Sequence, residues 1–207
     1  MSEIRIPSGN RRLAARLFEP AGAETGGGLL FIHGRGSNQL GYAARAEEAS
    51  RKLGLTCLTF DLGGHGRSTV EGAELTLKDH LGDAIAAYDC LHSAASVDHD
   101  RIGVCGASYG GHLACLLLSS RQVKRLLLRA PAQPSEDALR NLRAFQGPTL
   151  ILESGADEVV PHAIIEKYRT AAPTSKHVAI PGATHVLDRE EWRVAFINEI
   201  IDWFKDL

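Results

Sequence analysis

The sequence predicts an α/β fold: one domain built on a mainly parallel sheet of about eight strands, with helices on both faces. Two observations predict it. Short apolar runs alternate with helix-length, Ala- and Leu-rich stretches along almost the whole chain. Those runs are also apolar nearly without interruption, as strands covered on both faces must be. The 207 residues suit a single domain. A domain of that size buries roughly 70% of its unfolded-chain surface, so the core requires no disulfide or metal staple.

Residues 3–7 and 13–19 read as edge strands able to pair as a hairpin, and the Gly-rich stretch 21–28 as a loop too short to link domains. Buried strands are expected at 28–32, 55–60, 101–105, 125–128, 149–152 and 177–180. Helices are expected at 40–52, 77–93, 109–118, 135–145, 161–171 and 189–204. Thr76 stands where the second helix needs an N-cap, and Asp79 places an acid in its first turn. Pro161 suits a first helical turn, where its missing N–H is not required. There is no internal repeat, low-complexity tract or interdomain linker.

Composition narrows the function classes. The chain is 44% hydrophobic and 23% charged with a formal net charge of −2, which argues against a nucleic-acid partner. The longest basic cluster, Lys124-Arg125 with Arg121 and Arg129, is broken by leucines and flanks a strand. Cys57, Cys90, Cys105 and Cys115 sit in apolar surroundings without C-x-x-C spacing and read as buried thiols. The opening residues, MSEIRIPSGN, lack the charged and apolar regions of a signal peptide. No apolar run approaches the ~18 residues of a membrane span. A reducing cytoplasm and no membrane association are therefore expected.

The sharpest chemical signal is Gly106-Ala107-Ser108-Tyr109-Gly110, between an apolar run and a helix. G-x-S-x-G in a strand–turn–helix context is a nucleophile elbow: the serine occupies a strained turn, and the glycines keep flanking side chains out of its way. Serine is a weak nucleophile at neutral pH and needs a base and a group to orient that base. Of nine histidines, His185 lies in Pro181-Gly182-Ala183-Thr184-His185, after the last strand and before the final helix. A loop there can lift an imidazole over the sheet edge toward Ser108. Asp157, between nucleophile and base in the chain and after the strand at 149–152, is the expected acid, and Glu158 the alternative. A tetrahedral intermediate also needs preset donors, for which the backbone N–H groups of Arg35, in His33-Gly34-Arg35-Gly36-Ser37, and of Tyr109 are the natural pair. His33 reads as a loop prop.

With these motifs in view, the chain resembles the α/β-hydrolase superfamily from about residue 13 to its end. The resemblance runs through His33-Gly34, Asp61-Leu62-Gly63-Gly64-His65-Gly66-Arg67-Ser68, the elbow and the Asp157 and His185 loops, in that order. The second of these is similar to a family loop, D-x-x-G-x-G-x-S, that shapes the pocket wall and supplies no catalyst. The stretch 97–102 resembles the lead-in to the elbow strand in esterase- and peptidase-like members. Only residues 130–147 separate the strand that ends near Arg129 from the next, and 135–145 are needed for the connecting helix, so the cap that lidded members insert there is missing.

The resemblance implies a serine hydrolase acting on a small-molecule carboxylic ester through an acyl-serine intermediate, without cofactor. Thioesterase, peptidase and amidase chemistry would use the same residues, and a non-catalytic binding protein could keep the fold. Arg35, Arg67 and Arg129 lie near the carboxyl edge of the sheet; together they could hold a substrate carboxylate, whereas separately each reads as a surface or loop-bracing arginine. His65 reads as structural and His112 as facing other helices. His80, His92, His99, His162 and His177 show no paired ligand spacing, so no metal is expected. An open site would also leave apolar surface that favours a homo-oligomer.

Overall fold

The computed structural model describes residues 1–22, 26–70 and 74–207. Among them eight strands and six helices alternate. The strands are β1 (Ser2–Ser8), β2 (Arg11–Phe18), β3 (Gly26–Ile32), β4 (Thr56–Phe60), β5 (Val97–Ala107), β6 (Arg125–Arg129), β7 (Thr149–Ser154) and β8 (Ser175–Ile180). The helices are α1 (Leu40–Leu53), α2 (Leu77–His92), α3 (Tyr109–Leu117), α4 (Glu136–Ala144), α5 (His162–Ala171) and α6 (Glu190–Phe204). One sheet takes the order β1-β2-β4-β3-β5-β6-β7-β8. β2 is antiparallel to β1 and β4, and every other pairing is parallel.

Successive residues of the central strands enter two different cores, which is why the runs are apolar throughout. Leu30, Ile32, Leu58, Val104, Leu128 and Ile151 pack under α2 to α5 with Tyr88, Leu113 and Tyr168. Leu29, Phe31, Cys57, Leu127, Leu150 and Leu152 pack under α1 and α6 with Ala46, Phe196 and Phe204. Helices thus cover both faces.

Three local expectations need correction. Gly26 and Gly27 belong to β3, with Gly28 where the strand was expected to start, and not to a loop; the glycines reflect close packing, since a Cβ on Gly26 would lie 2.8 Å from the Gly54 carbonyl oxygen and one on Gly27 3.0 Å from that of Arg101. Residues 23–25 of the expected loop lie outside the described residues. β5 starts at Val97, which pairs with Gly26, and a register shift between Gly26 and Gly28 carries the strand past its polar stretch at residues 98–101. Pro161 is the N-cap of α5, one residue ahead of the expected first turn. Thr76 does cap α2: its side chain accepts from Asp79 N, and the Asp79 carboxylate accepts from Thr76 N at 2.9 Å. Of the cysteines, Cys57, Cys105 and Cys115 are buried, while Cys90 is half-buried.

Two features position the site. β3 lies between β4 and β5, so the chain leaves β3 on one side and returns on the other. Loops diverge at such a switch point and leave a crevice at the carboxyl ends of the strands. In addition, α4 is the only helix between β6 and β7, so no cap covers that crevice.

Candidate active site

Ser108 joins β5 to α3 at φ 50°, ψ −120°. A non-glycine residue held at such angles costs about 1–3 kcal/mol and persists only where surrounding bonds impose it. Here Ser108 N donates to Arg129 O at 2.9 Å, while Ser108 O accepts from Gly111 N at 2.9 Å and Ala132 N at 3.0 Å. The flanking glycines are steric necessities. A Cβ on Gly106 would lie 2.4 Å from the Gly110 carbonyl oxygen, and one on Gly110 2.1 Å from that of Ile32. The G-x-S-x-G spacing therefore follows from how closely α3 crosses β5 and β3.

The loops after β7 and β8 are laced together, with Gly155 N donating to Ile180 O and Ala156 N to Ala183 O, each at 2.9 Å. This brings Asp157 Oδ2 to 2.8 Å and Oδ1 to 3.0 Å from His185 Nδ1. Asp157 Oδ1 also accepts from Val159 N and Val160 N, at 2.9 and 2.8 Å, which locks the carboxylate. Because a carboxylate only accepts, Nδ1 carries the proton and Nε2 is left with a free lone pair. Glu158 lies elsewhere: its Oε2 accepts from His185 N at 3.0 Å and so braces the backbone, not the ring. Arg129, at the end of β6, donates from Nη2 to Ser154 Oγ at 3.0 Å and to the carbonyls of Thr184 and His185.

Ser108 and His185 line one cleft of about 430 Å³, with Gly34, Arg35, Arg45 and Arg129 among its other walls. No hydrogen bond of the structure joins Ser108 Oγ to the imidazole, and Nε2 has no partner among the described residues. Such contacts are often long without ligand and tighten in the reacting complex. The N–H groups of Arg35 and Tyr109 likewise donate to no protein acceptor among the described residues.

Behind the elbow, the Tyr109 hydroxyl lies 3.0 Å from His80 Nδ1, and His80 Nε2 lies 3.2 Å from Gly63 O. The carbonyl takes the ring proton, so the hydroxyl donates to Nδ1. His33 props the Gly34 turn: Nδ1 lies 2.8 Å from Gly34 O, and Nε2 accepts from Leu62 N at 3.0 Å. Burial lowers its pKa to about 4, so it is neutral at pH 7. His65 packs its ring between those of His33 and His80. His112 lies 3.0 Å from Ser135 Oγ at the start of α4. Asp61 ties its loop to α1 by accepting from Gln39 N at 2.7 Å and from Arg67 N at 2.8 Å. Among the described residues no three His, Cys, Asp or Glu side chains are grouped to hold a metal, and no helix is long and apolar enough to cross a membrane.

The structure separates the three arginines considered together from sequence. Arg67 pairs with Glu3 and does not line the cleft. Arg35 does, stacked 4.6 Å over the Tyr109 ring, as does the buried Arg129. Arg45, which sequence reasoning missed, takes the third place. The available signal was the spacing of Gly41 and Arg45 on one face of α1, both of which line the cleft. Burial pushes the pKa of Arg45 and Arg129 down, yet an arginine titrates so high that it keeps its charge.

A family model described as serine aminopeptidase, S33, matches residues 23–137, more than half of the chain. The uncharacterized protein Rv2307c of Mycobacterium tuberculosis is 27% identical over 197 residues, covering 84% of this chain and 68% of its own. Among solved structures, a dienelactone hydrolase from Anabaena variabilis superposes with a TM-score of 0.79 at 25% identity, covering 99% of this chain and 96% of its own. Est1E from Butyrivibrio proteoclasticus, solved with ferulic acid bound, gives a TM-score of 0.82 at 20% identity over 98% of this chain and 96% of its own, a likeness of fold. With its uncapped, mainly parallel eight-stranded sheet, the chain belongs to the serine aminopeptidase S33 family of hydrolases, within the α/β-hydrolase superfamily.

Proposed function

We propose that this chain is a serine hydrolase cleaving a small carboxylic ester through an acyl-serine intermediate, with Ser108 as nucleophile, His185 as base and Asp157 as the acid that orients it. One observation carries the reading. The strained Ser108 shares a cleft with an imidazole whose Nδ1 is fixed by Asp157 at 2.8 Å and whose Nε2 is free. His185 removes the Ser108 proton as Oγ attacks the carbonyl and returns it to the leaving alcohol. Asp157 holds the tautomer and stabilises the imidazolium. The N–H groups of Arg35 and Tyr109 receive the oxyanion. Water then repeats the sequence on the acyl-enzyme. The three buried thiols suit a reducing cytoplasm.

The cleft favours an ester over the free amino terminus an aminopeptidase must hold. Among the described residues three arginines and no Asp or Glu line it, so an ammonium group would meet repulsion without a counter-charge. The ferulic acid bound to Est1E is a carboxylic acid of the kind that ester cleavage releases. A panel of a p-nitrophenyl ester, an acyl thioester and an aminoacyl p-nitroanilide tests the reading. Rapid turnover of the oxygen ester with the anilide left intact is expected, and faster cleavage of the anilide would overturn it.

A further inference from the structure

We infer that Arg45 and Arg129 form a receptor for a carboxylate carried by the substrate, so that the preferred ester bears a second, free carboxylate on its acyl or alcohol part. The identity of the bond cleaved rests on the proposed function; the anion receptor rests on the cleft itself. Arg129 is 6% exposed and lines the cleft beside Ser108 and His185. Its Nη2 is taken up by Ser154 and the His185 loop, but among the described residues its buried Nε has no partner and its Nη1 makes no hydrogen bond. Arg45, on α1, repeats the pattern. Its Nη1 donates to Gly41 O, its Nε is buried and unpartnered, and its guanidinium lies 4.9 Å over the Phe196 ring and 5.5 Å over that of Tyr42.

Neither guanidinium has an ion-pair partner among the described residues. The carboxylates whose fields reach them are engaged elsewhere: Asp157 with His185 at 2.8 Å, and Glu190 with Arg193 at 3.0 Å. Arginine cannot escape the cost of desolvation by losing its proton, so two such groups lining one cleft, one buried and one half-buried, are expensive to keep uncompensated. An anion entering the cleft supplies the missing charge. A carboxylate suits it, because its two oxygens can accept charge-assisted hydrogen bonds from the terminal N–H groups still unengaged on the two arginines. Arg35, exposed at the rim on Tyr109, adds a third positive group on the way in.

The test compares p-nitrophenyl hemiglutarate with p-nitrophenyl valerate, which differ chiefly in the terminal charge. Wild type should prefer the hemiglutarate by about tenfold or more in kcat/KM, the scale of one charge-assisted hydrogen bond. Arg45→Gln should bring the ratio near one, with correct folding checked by its thermal unfolding curve; Arg45→Lys should keep part of the preference. A wild-type ratio near or below one, or a ratio untouched by Arg45→Gln, overturns the inference. Calorimetric titration of Ser108→Ala protein with monomethyl glutarate, with and without Arg45→Gln, separates the two claims. If wild type hydrolyses neither ester but Ser108→Ala protein binds monomethyl glutarate through Arg45, the receptor stands and the hydrolase reading falls. Valerate turnover without such binding overturns the receptor alone.

Discussion

Replacing Asp157 by Asn changes one atom and, by this account, the proton inventory of the site. The Asn carbonyl oxygen can still accept from Val159 N and Val160 N, which now bind Oδ1 at 2.9 and 2.8 Å, so the loop is retained. The amide nitrogen then replaces Oδ2, which lies 2.8 Å from His185 Nδ1. A donor facing Nδ1 forces that nitrogen to accept, moving the ring proton to Nε2, where the base must be unprotonated. Loss of the correct tautomer is worth roughly 10⁴-fold in kcat, or about 5.5 kcal/mol. Glu158→Gln is the control. Its carboxylate touches only the exposed backbone N–H of His185, at 3.0 Å, and the Gln carbonyl can accept the same bond. The loss should be at most about 1 kcal/mol, roughly fivefold. Pre-steady-state acylation by p-nitrophenyl acetate measures both. A larger loss in Glu158→Gln than in Asp157→Asn would refute the assignment of the acid.

Other expectations concern stability and the shape of the cleft. Fully buried Asp83 accepts from Ser8 Oγ at 2.6 Å, Arg11 Nε at 2.9 Å and Gly63 N at 2.9 Å, so Asp83→Ala removes the buried partner of a buried guanidinium and leaves it only the half-exposed Asp79. A loss of about 3–5 kcal/mol, or about 6–20 °C in Tm, should appear in thermal unfolding, and a shift under about 3 °C would contradict it. His33 has its folded pKa lowered to about 4 against an ordinary 6.5, so the unfolded chain takes up its proton first as pH falls. Its contribution is intact above pH 6.5 and is lost between about 6.5 and 4, by about 3 kcal/mol in all. Urea unfolding across this window should therefore be steeper in pH for wild type than for His33→Asn, and parallel slopes would dismiss the effect. With no cap between β6 and β7, short acyl chains should be favoured. A rise in kcat/KM of about 0.8 kcal/mol per methylene through long chains would reveal a deep pocket instead.

Most of the architecture was legible because it follows from rules of period and sterics. Runs such as Leu29–Ile32 are apolar on both faces because two cores meet there. The glycines at 106 and 110 announce the elbow because nothing larger fits. The glycines at 26 and 27 misled for the same physical reason: close backbone packing inside a strand has the composition of a loop. Arg45 was hidden, since an arginine in an Ala- and Glu-rich helix reads as solvent-facing until the packing of α1 beside α6 brings it over Phe196. Arg129 was placed near the sheet edge, but its burial, and the bonds by which it holds the His185 loop, arise from contacts 25 or more residues apart in sequence.

A Ser108 activated as a nucleophile by His185 must react covalently with an active-serine reagent. Labelling the intact protein with a fluorophosphonate and mapping the adduct by mass spectrometry tests it most directly. One adduct per chain is expected, on Ser108, forming quickly in wild type, falling by orders of magnitude in His185→Ala and vanishing in Ser108→Ala. An adduct on another residue, or labelling of Ser108 at the same rate without His185, would contradict it.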